Sequence, residues 1–170
     1  MSALATIKKR FSPYSYEKVS ISFDKIESAF EAARWAPSGY NSQPWRFIFA
    51  SRDSANFEKL LSFAVAANRE WMQDCGAIVV ILAKTINDHT GKMDASAEYC
   101  TGLAVGQMLV EISALDLQAH QIGGFDHEGL SKHLELSDGV LPMAMMAIGS
   151  TTEQAKEGRE RKPLSTLVSR

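Results

Sequence analysis

The chain is poor in cysteine and proline, with two cysteines and five prolines among 170 residues. Cys75 and Cys100 form no Cys-x-x-Cys pair, which leaves a disulfide framework, a structural zinc site and a thioredoxin-like centre without support. Both are expected to be buried thiols. Neither sign of charge is in excess: 18 Lys and Arg stand against 20 Asp and Glu, so neither nucleic acid nor a membrane surface is an expected partner. No apolar run could span a bilayer, and the opening segment MSALATIKKRFSPY lacks an apolar stretch of signal-peptide length, so the cytoplasm is the expected location. The GxGxxG, Walker, HExxH and GxSxG patterns are all missing. The histidines at 89, 120, 127 and 133 have no metal-ligand spacing, and surface or supporting roles are expected for them.

What is present is an ordinary globular composition, 45% hydrophobic, with no repeat or Gly/Ser linker, so residues 1–170 are expected to form one domain. Ser22 is placed to cap a helix running to Trp35, with Asp24 in its first turn and Ile26, Ala29, Phe30 and Ala33 on one face. Pro37 stops it. A loop from Ser38 to Pro44 leads into a strand-like run, Trp45 to Ser51. A second helix is expected over Ser54 to Ala67, and AIVVILA at Ala77 to Ala83 reads as a central strand. From Met93 to Leu117 the pattern is helical and apolar around much of its circumference, which calls for cover on both sides and favours a dimer. His120 to Phe125 and Pro142 to Ile148 complete the extended segments. The mixed order of elements favours an α+β fold.

One segment carries a chemical signal. Pro37-Ser38-Gly39-Tyr40-Asn41-Ser42-Gln43-Pro44-Trp45 is a polar loop set between an apolar helix and an apolar strand. Gly39 lets a flat ring approach the backbone, and Ser38, Asn41 and Gln43 can donate and accept in the plane of a heterocycle. A capped turn would account for the same residues.

The run AARWAPSGYNSQPWRF, Ala32 to Phe47, resembles the signature of the nitroreductase family of FMN-dependent NAD(P)H oxidoreductases, and Arg10-Phe11-Ser12 is similar to that family's Arg-x-Ser element. The resemblance implies a three-layer α+β sandwich, a mostly antiparallel sheet flanked by helices, dimerised through a long central helix with FMN at the interface. It implies that Arg10 and Ser12 face the phosphate and the ribityl and pyrimidine end, and that Pro37, Ser38, Gly39, Asn41 and Gln43 hold the ring. Gly158 to Leu164, GRERKPL, is similar to the family's basic tail, which assigns Arg159 and Arg161 to the phosphate; without the family it reads as a solvated charge run. Gly123 and Gly124 resemble the glycine turn under the ring, with Asp126 as the cap of a following helix. Asn68 looks like the family asparagine at the pyrimidine edge.

Departures from the pattern are equally specific. Trp71 stands where relatives carry lysine, which makes it either an aromatic platform for substrate or a plain core tryptophan. Tyr14 and Phe11 occupy cofactor-binding positions that are commonly basic, so charge around the flavin, and with it the potential, is expected to be lower. The resemblance implies a ping-pong oxidoreductase in which NAD(P)H and a nitroaromatic, quinone or similar conjugated acceptor use one pocket in turn, with no protein nucleophile. The alternative is a flavin-binding carrier or redox sensor without turnover.

Overall fold

In the computed structural model, which describes residues 3–169, four strands form one antiparallel sheet: β1 Trp45–Ser51, β2 Ala77–Lys84, β3 Gln118–Ile122 and β4 Val140–Gly149, in the order β1-β2-β4-β3. The central strand β2 is the continuous run of β-branched residues, buried throughout except at Lys84. Its alternation distributes the core. Ala77, Val79 and Ile81 meet α2 (Phe23–Arg34) and α5 (Ala97–Ala114) on one face. Ile78, Val80 and Leu82 meet α3 (Asn56–Leu61), α4 (Ala66–Met72) and α6 (His127–His133) on the other. The α+β three-layer sandwich with an antiparallel sheet is therefore present.

The helices depart from the sequence expectations in instructive ways. α2 starts where Ser22 was placed as its cap, but the Ser22 side chain makes no capping bond. The expected helix over Ser54 to Ala67 is broken into α3 and α4, because Ala64 pairs with Phe125 as an isolated bridge and Asp126 N–H bonds to Phe63 O at 2.8 Å. Local propensity yields here to a tertiary backbone pairing. α5 is shorter than Met93 to Leu117: Met93 pairs with Ile86, and the Asp94 carboxylate accepts from Ser96 N–H at 2.9 Å, a side-chain turn that delays the helix. The third strand begins at Gln118, earlier than His120. Asp126 does cap α6, accepting from Gly129 N–H at 2.9 Å.

A further short helix, α1 (Ala5–Lys9), packs against the C-terminal part of α5, with Ser113 Oγ donating to Thr6 O at 3.4 Å and Lys9 paired with Asp116. The two ends of α5 thus have different neighbours. Among the described residues no helix is long and apolar enough to cross a membrane.

Candidate functional site

Two separate arrays of polar and aromatic groups stand at opposite ends of the sheet. The first lies at the Gly149 end. Phe11 N–H bonds to Gln118 Oε1 at 3.1 Å, and Tyr14 and Ser15 N–H bond to the Glu153 carboxylate at 2.8 and 3.1 Å, which fixes the segment after α1 against β3 and the strand exit of β4. Arg10, Phe11, Ser12, Tyr14, Arg159 and Arg161 then line a cavity of about 200 Å³ together with Glu153 and Lys156. Burial and the neighbouring Arg159 and Arg161 guanidiniums push the Arg10 pKa below its ordinary value. Among the described residues none of these three arginines forms an ion pair, although carboxylates are plentiful in the chain. Glu153, the one carboxylate in the lining, is taken up by the Tyr14 and Ser15 N–H groups, so positive charge is in excess there and favours an anion.

Arg159 has a second attachment. It donates to Arg10 O at 2.8 Å and Lys8 O at 2.6 Å, so it straps the tail to α1 as well as lining the cavity. The Arg161 side chain bonds only its neighbour Glu160 O among the described residues, at 2.8 Å. Lys156 and Glu153 were not foreseen: Lys156 could have been found from its place just before the basic run, whereas nothing in the sequence marks Glu153.

A wall of aromatic rings continues from this cavity. Trp71 stacks on His120 with centroids 4.4 Å apart and planes at 22°, and the Tyr14 ring stands edge-on to both, at 5.4 and 4.8 Å. His120 Nδ1 donates to Pro13 O at 2.8 Å, so its ring is held in place. Trp71 is half-buried: it packs against the core on this side of the sheet and also stands in the wall. One turn before it on α4, Asn68 Nδ2 donates to Gly124 O at 3.1 Å. A Cβ on Gly124 would meet that same Nδ2 at 2.9 Å, so packing against α4 accounts for the glycine; among the described residues nothing beyond its own chain neighbours lies within 4 Å of a Cβ on Gly123. Arg10, Ser12, Tyr14, Trp71, Asn68 and the glycine turn therefore form one continuous stretch of surface.

The second array is the loop after α2, at the Trp45 end of the sheet. Its backbone is unusual: Tyr40, Asn41 and Gln43 have φ of 52°, 56° and 45°, in the left-handed region. Non-glycine residues there cost on the order of 1–3 kcal/mol each and persist only where the surroundings enforce them. Ser38 Oγ accepts from Gln43 N–H at 3.0 Å across the turn, and Ser42 Oγ donates to Asp94 Oδ2 at 3.1 Å. Tyr40 is fully exposed. Pro37 faces elsewhere, lining with Trp35, Leu103, Gly106 and Val110 an apolar groove of about 660 Å³ between α2 and α5. Trp35 itself is 73% exposed, its indole N–H held by the Glu31 carboxylate at 2.7 Å. β1, which starts at this loop, is seven residues long, about 20 Å from end to end.

The fold and this surface define an α+β sandwich protein with a basic cavity running into an aromatic wall. A model of the nitroreductase family matches residues 7–70. An oxygen-insensitive NAD(P)H nitroreductase of Salmonella typhimurium is 26% identical, over 85% of this chain and 86% of the relative. A solved oxidoreductase containing FMN has the same fold, with a TM-score of 0.85, 24% identity and coverage of 90% and 79% of the two chains. A nitroreductase family protein of Streptococcus pneumoniae TIGR4 superposes at 0.83 with 18% identity, covering 97% and 98%. Over residues 7–70 the chain is thus similar to the nitroreductase family, and along most of its length it shares the fold of these solved structures.

Proposed function

We propose that this protein is an FMN-dependent oxidoreductase that takes reducing equivalents from NAD(P)H and delivers them, by alternate occupation of one pocket, to nitroaromatics, quinones or similar conjugated acceptors. Relatives named as NAD(P)H nitroreductases and a same-fold oxidoreductase containing FMN support the reading. The observation that carries it is the ion-pair-free cluster of Arg10, Arg159 and Arg161 beside an aromatic wall, which suits a phosphomonoester joined to a planar heterocycle. The residues present fit FMN on that ground.

Bound FMN supplies a two-electron redox centre whose ring faces can be stacked by donor and acceptor in turn. The chain's own residues do the rest. Arg10, Ser12, Arg159 and Arg161 would hold the phosphate and adjacent chain, Asn68 and the backbone at Gly123 and Gly124 the ring edge, and Ser38, Gly39, Asn41 and Gln43 the opposite edge. Phe11 and Tyr14 give the cavity apolar sides, and the Trp71 ring forms a surface on which a conjugated acceptor stacks.

The separation of the two arrays at opposite ends of the sheet makes a homodimer part of this reading. α5 has 18 residues, about 27 Å of helix, with the loop array beside its first residues and α1 beside its last. A twofold axis across the middle of α5, where Gly102, Leu103, Gly106 and Val110 line the apolar groove, would carry the loop of one copy to the arginine cluster of the other. Each flavin would then be held by both chains.

Two measurements test the proposal. Purified protein should be yellow, should release FMN, and its visible band should bleach under anaerobic NADH or NADPH; an oxidised band with both donors would point to a flavin carrier instead. Arg10→Ala should weaken FMN binding by about tenfold or more while leaving riboflavin, which lacks the phosphate, within about threefold. Equal effects on the two flavins would remove Arg10 from the phosphate site.

A further inference from the structure

Asp94 belongs to no array described for the flavin, yet it is the residue to which the strained loop is tied. It follows β2 by ten positions, and its own backbone is pinned there: Asp94 N–H bonds to Thr85 O at 2.7 Å, just past the end of β2, and Ala97 N–H at the start of α5 bonds to Asp94 O at 3.1 Å. Its carboxylate works in two directions. Oδ1 accepts from Ser96 N–H at 2.9 Å and from Ser96 Oγ at 2.6 Å, while Oδ2 accepts from Ser42 Oγ at 3.1 Å. Ser96 Oγ in turn stands 3.4 Å from where a Cβ on Gly39 would lie. One half-buried side chain therefore ties the loop to both β2 and α5.

The loop needs such a tie. Ser42 sits between Asn41 and Gln43, both left-handed, and Tyr40 before them is left-handed too and fully exposed, so it has no packing to hold it. The bonds within the loop, Gln43 N–H to Ser38 Oγ, Asn41 N–H to Ser38 O, Ser42 N–H to Gly39 O and Gln43 Nε2 to Asn41 O, close the turn on itself and do not attach it to the sheet. Lys84 N–H to Pro44 O and Arg46 Nη1 to Gln43 O, both at 2.8 Å, anchor only the loop's exit to the sheet.

We infer that Asp94 is a positioning residue that holds the Ser38–Gln43 loop in its flavin-receiving shape, through Ser42 on one side and Ser96 on the other. It touches neither cofactor nor substrate. The inference rests on the flavin reading of the loop and adds a residue lying more than fifty positions from it in sequence. Without this clamp the loop relaxes towards ordinary backbone angles, and binding must restore the rarer shape, which lowers affinity with no contact to the ligand removed. The three hydroxyl and amide donors hold the Asp94 carboxyl below its usual range, the Ser96 hydroxyl first, so the clamp stays ionised through neutral and mildly acid pH.

The test uses full-length protein stripped of flavin and titrated with FMN, following quenching of flavin fluorescence, beside far-UV circular dichroism and urea unfolding of each variant. Asp94→Ala should weaken FMN by about tenfold. Asp94→Asn should recover most of that loss, since its amide oxygen accepts from Ser96 and its NH2 donates to Ser42 Oγ. Rescue by the neutral isostere is what a long-range charge effect does not produce, and a general loss of stability would show in the urea unfolding instead. FMN affinity unchanged in Asp94→Ala, or equally lost in Asp94→Asn, overturns the inference. Should Asp94→Ala fail to fold, Ser42→Ala, which removes only the bond from the loop side, carries the same expectation of weakened binding and the same refutation if affinity is unchanged. Failure of the unmodified protein to bind FMN would instead defeat the flavin reading itself.

Discussion

Cys75 shows what burial does to a single side chain. Its thiol donates to Ala77 O at 3.2 Å, and burial pushes its pKa from 9.0 up to about 12. The unfolded chain loses this proton first, so the group's contribution to stability is complete below about pH 9 and is lost as pH rises towards 12. Relative to Cys75→Ala, the wild-type protein should lose about 1.4 kcal/mol of unfolding free energy between pH 8 and pH 10, measured by urea denaturation at each pH. A stability gap that stays constant across that range would show that the thiol ionises equally in both states. The same neutrality makes Cys75 a poor nucleophile and leaves it outside the proposed redox chemistry.

Among the residues of the candidate site, the charged and the aromatic ones differ in how they could be foreseen. Arg10, Arg159 and Arg161 matched a family pattern, and the structure adds their mutual repulsion and the strap from Arg159 to Lys8 O and Arg10 O. His120 gave no signal in sequence, because stacking on Trp71 is a contact across 49 positions. Glu153 is similar: its acceptance of two backbone N–H groups 138 and 139 residues away orders the Tyr14 segment, and no local rule predicts it.

At the scale of elements, strands were readable and helix breaks were not. β1 and β2 carry their own signals, an apolar run after Pro44 and a β-branched run with burial on both faces. The division of the second helical stretch into α3 and α4 depends on the Ala64 to Phe125 bridge, which involves residues from another part of the chain. The start of β2 is set by a different long-range packing. Gly76 donates to Ile148 O at 2.9 Å and accepts from both Ile21 and Arg52 N–H, and a Cβ there would stand 2.4 Å from Val19 O. Backbone cannot yield as a flexible side chain can. Gly76→Ala should therefore destabilise the fold by about 3 kcal/mol in urea unfolding, whereas a loss under about 1 kcal/mol would mean that the Val19 segment shifts freely.

At the scale of the molecule, the exposed apolar face along α2 and α5 is the feature a single copy leaves unresolved. Leu103 lies in the groove between Trp35, Pro37, Gly106 and Val110, and the proposed dimer would bury it. Leu103→Asp should shift the protein from dimer to monomer in size-exclusion chromatography with light scattering, and FMN should be lost in the same step, because each site would lose the half supplied by the other chain. A monomeric variant that binds FMN with undiminished affinity would place the whole site within one chain.

Sequence alone determined the things that depend on local composition and spacing: the α+β class, the positions of the central strand and of the apolar helix, the polar loop after Pro37, and the residues of a family pattern. Tertiary structure decided what depends on contacts between distant segments. It set the two arrays at opposite ends of the sheet, turned Tyr14, Trp71 and His120 into one wall, and tied the loop to Asp94. The physical reason is the same in each case. Periodicity and turn chemistry act over a few residues, whereas hydrogen bonds and ring contacts across fifty to one hundred and fifty positions exist only after the sheet has brought those segments together.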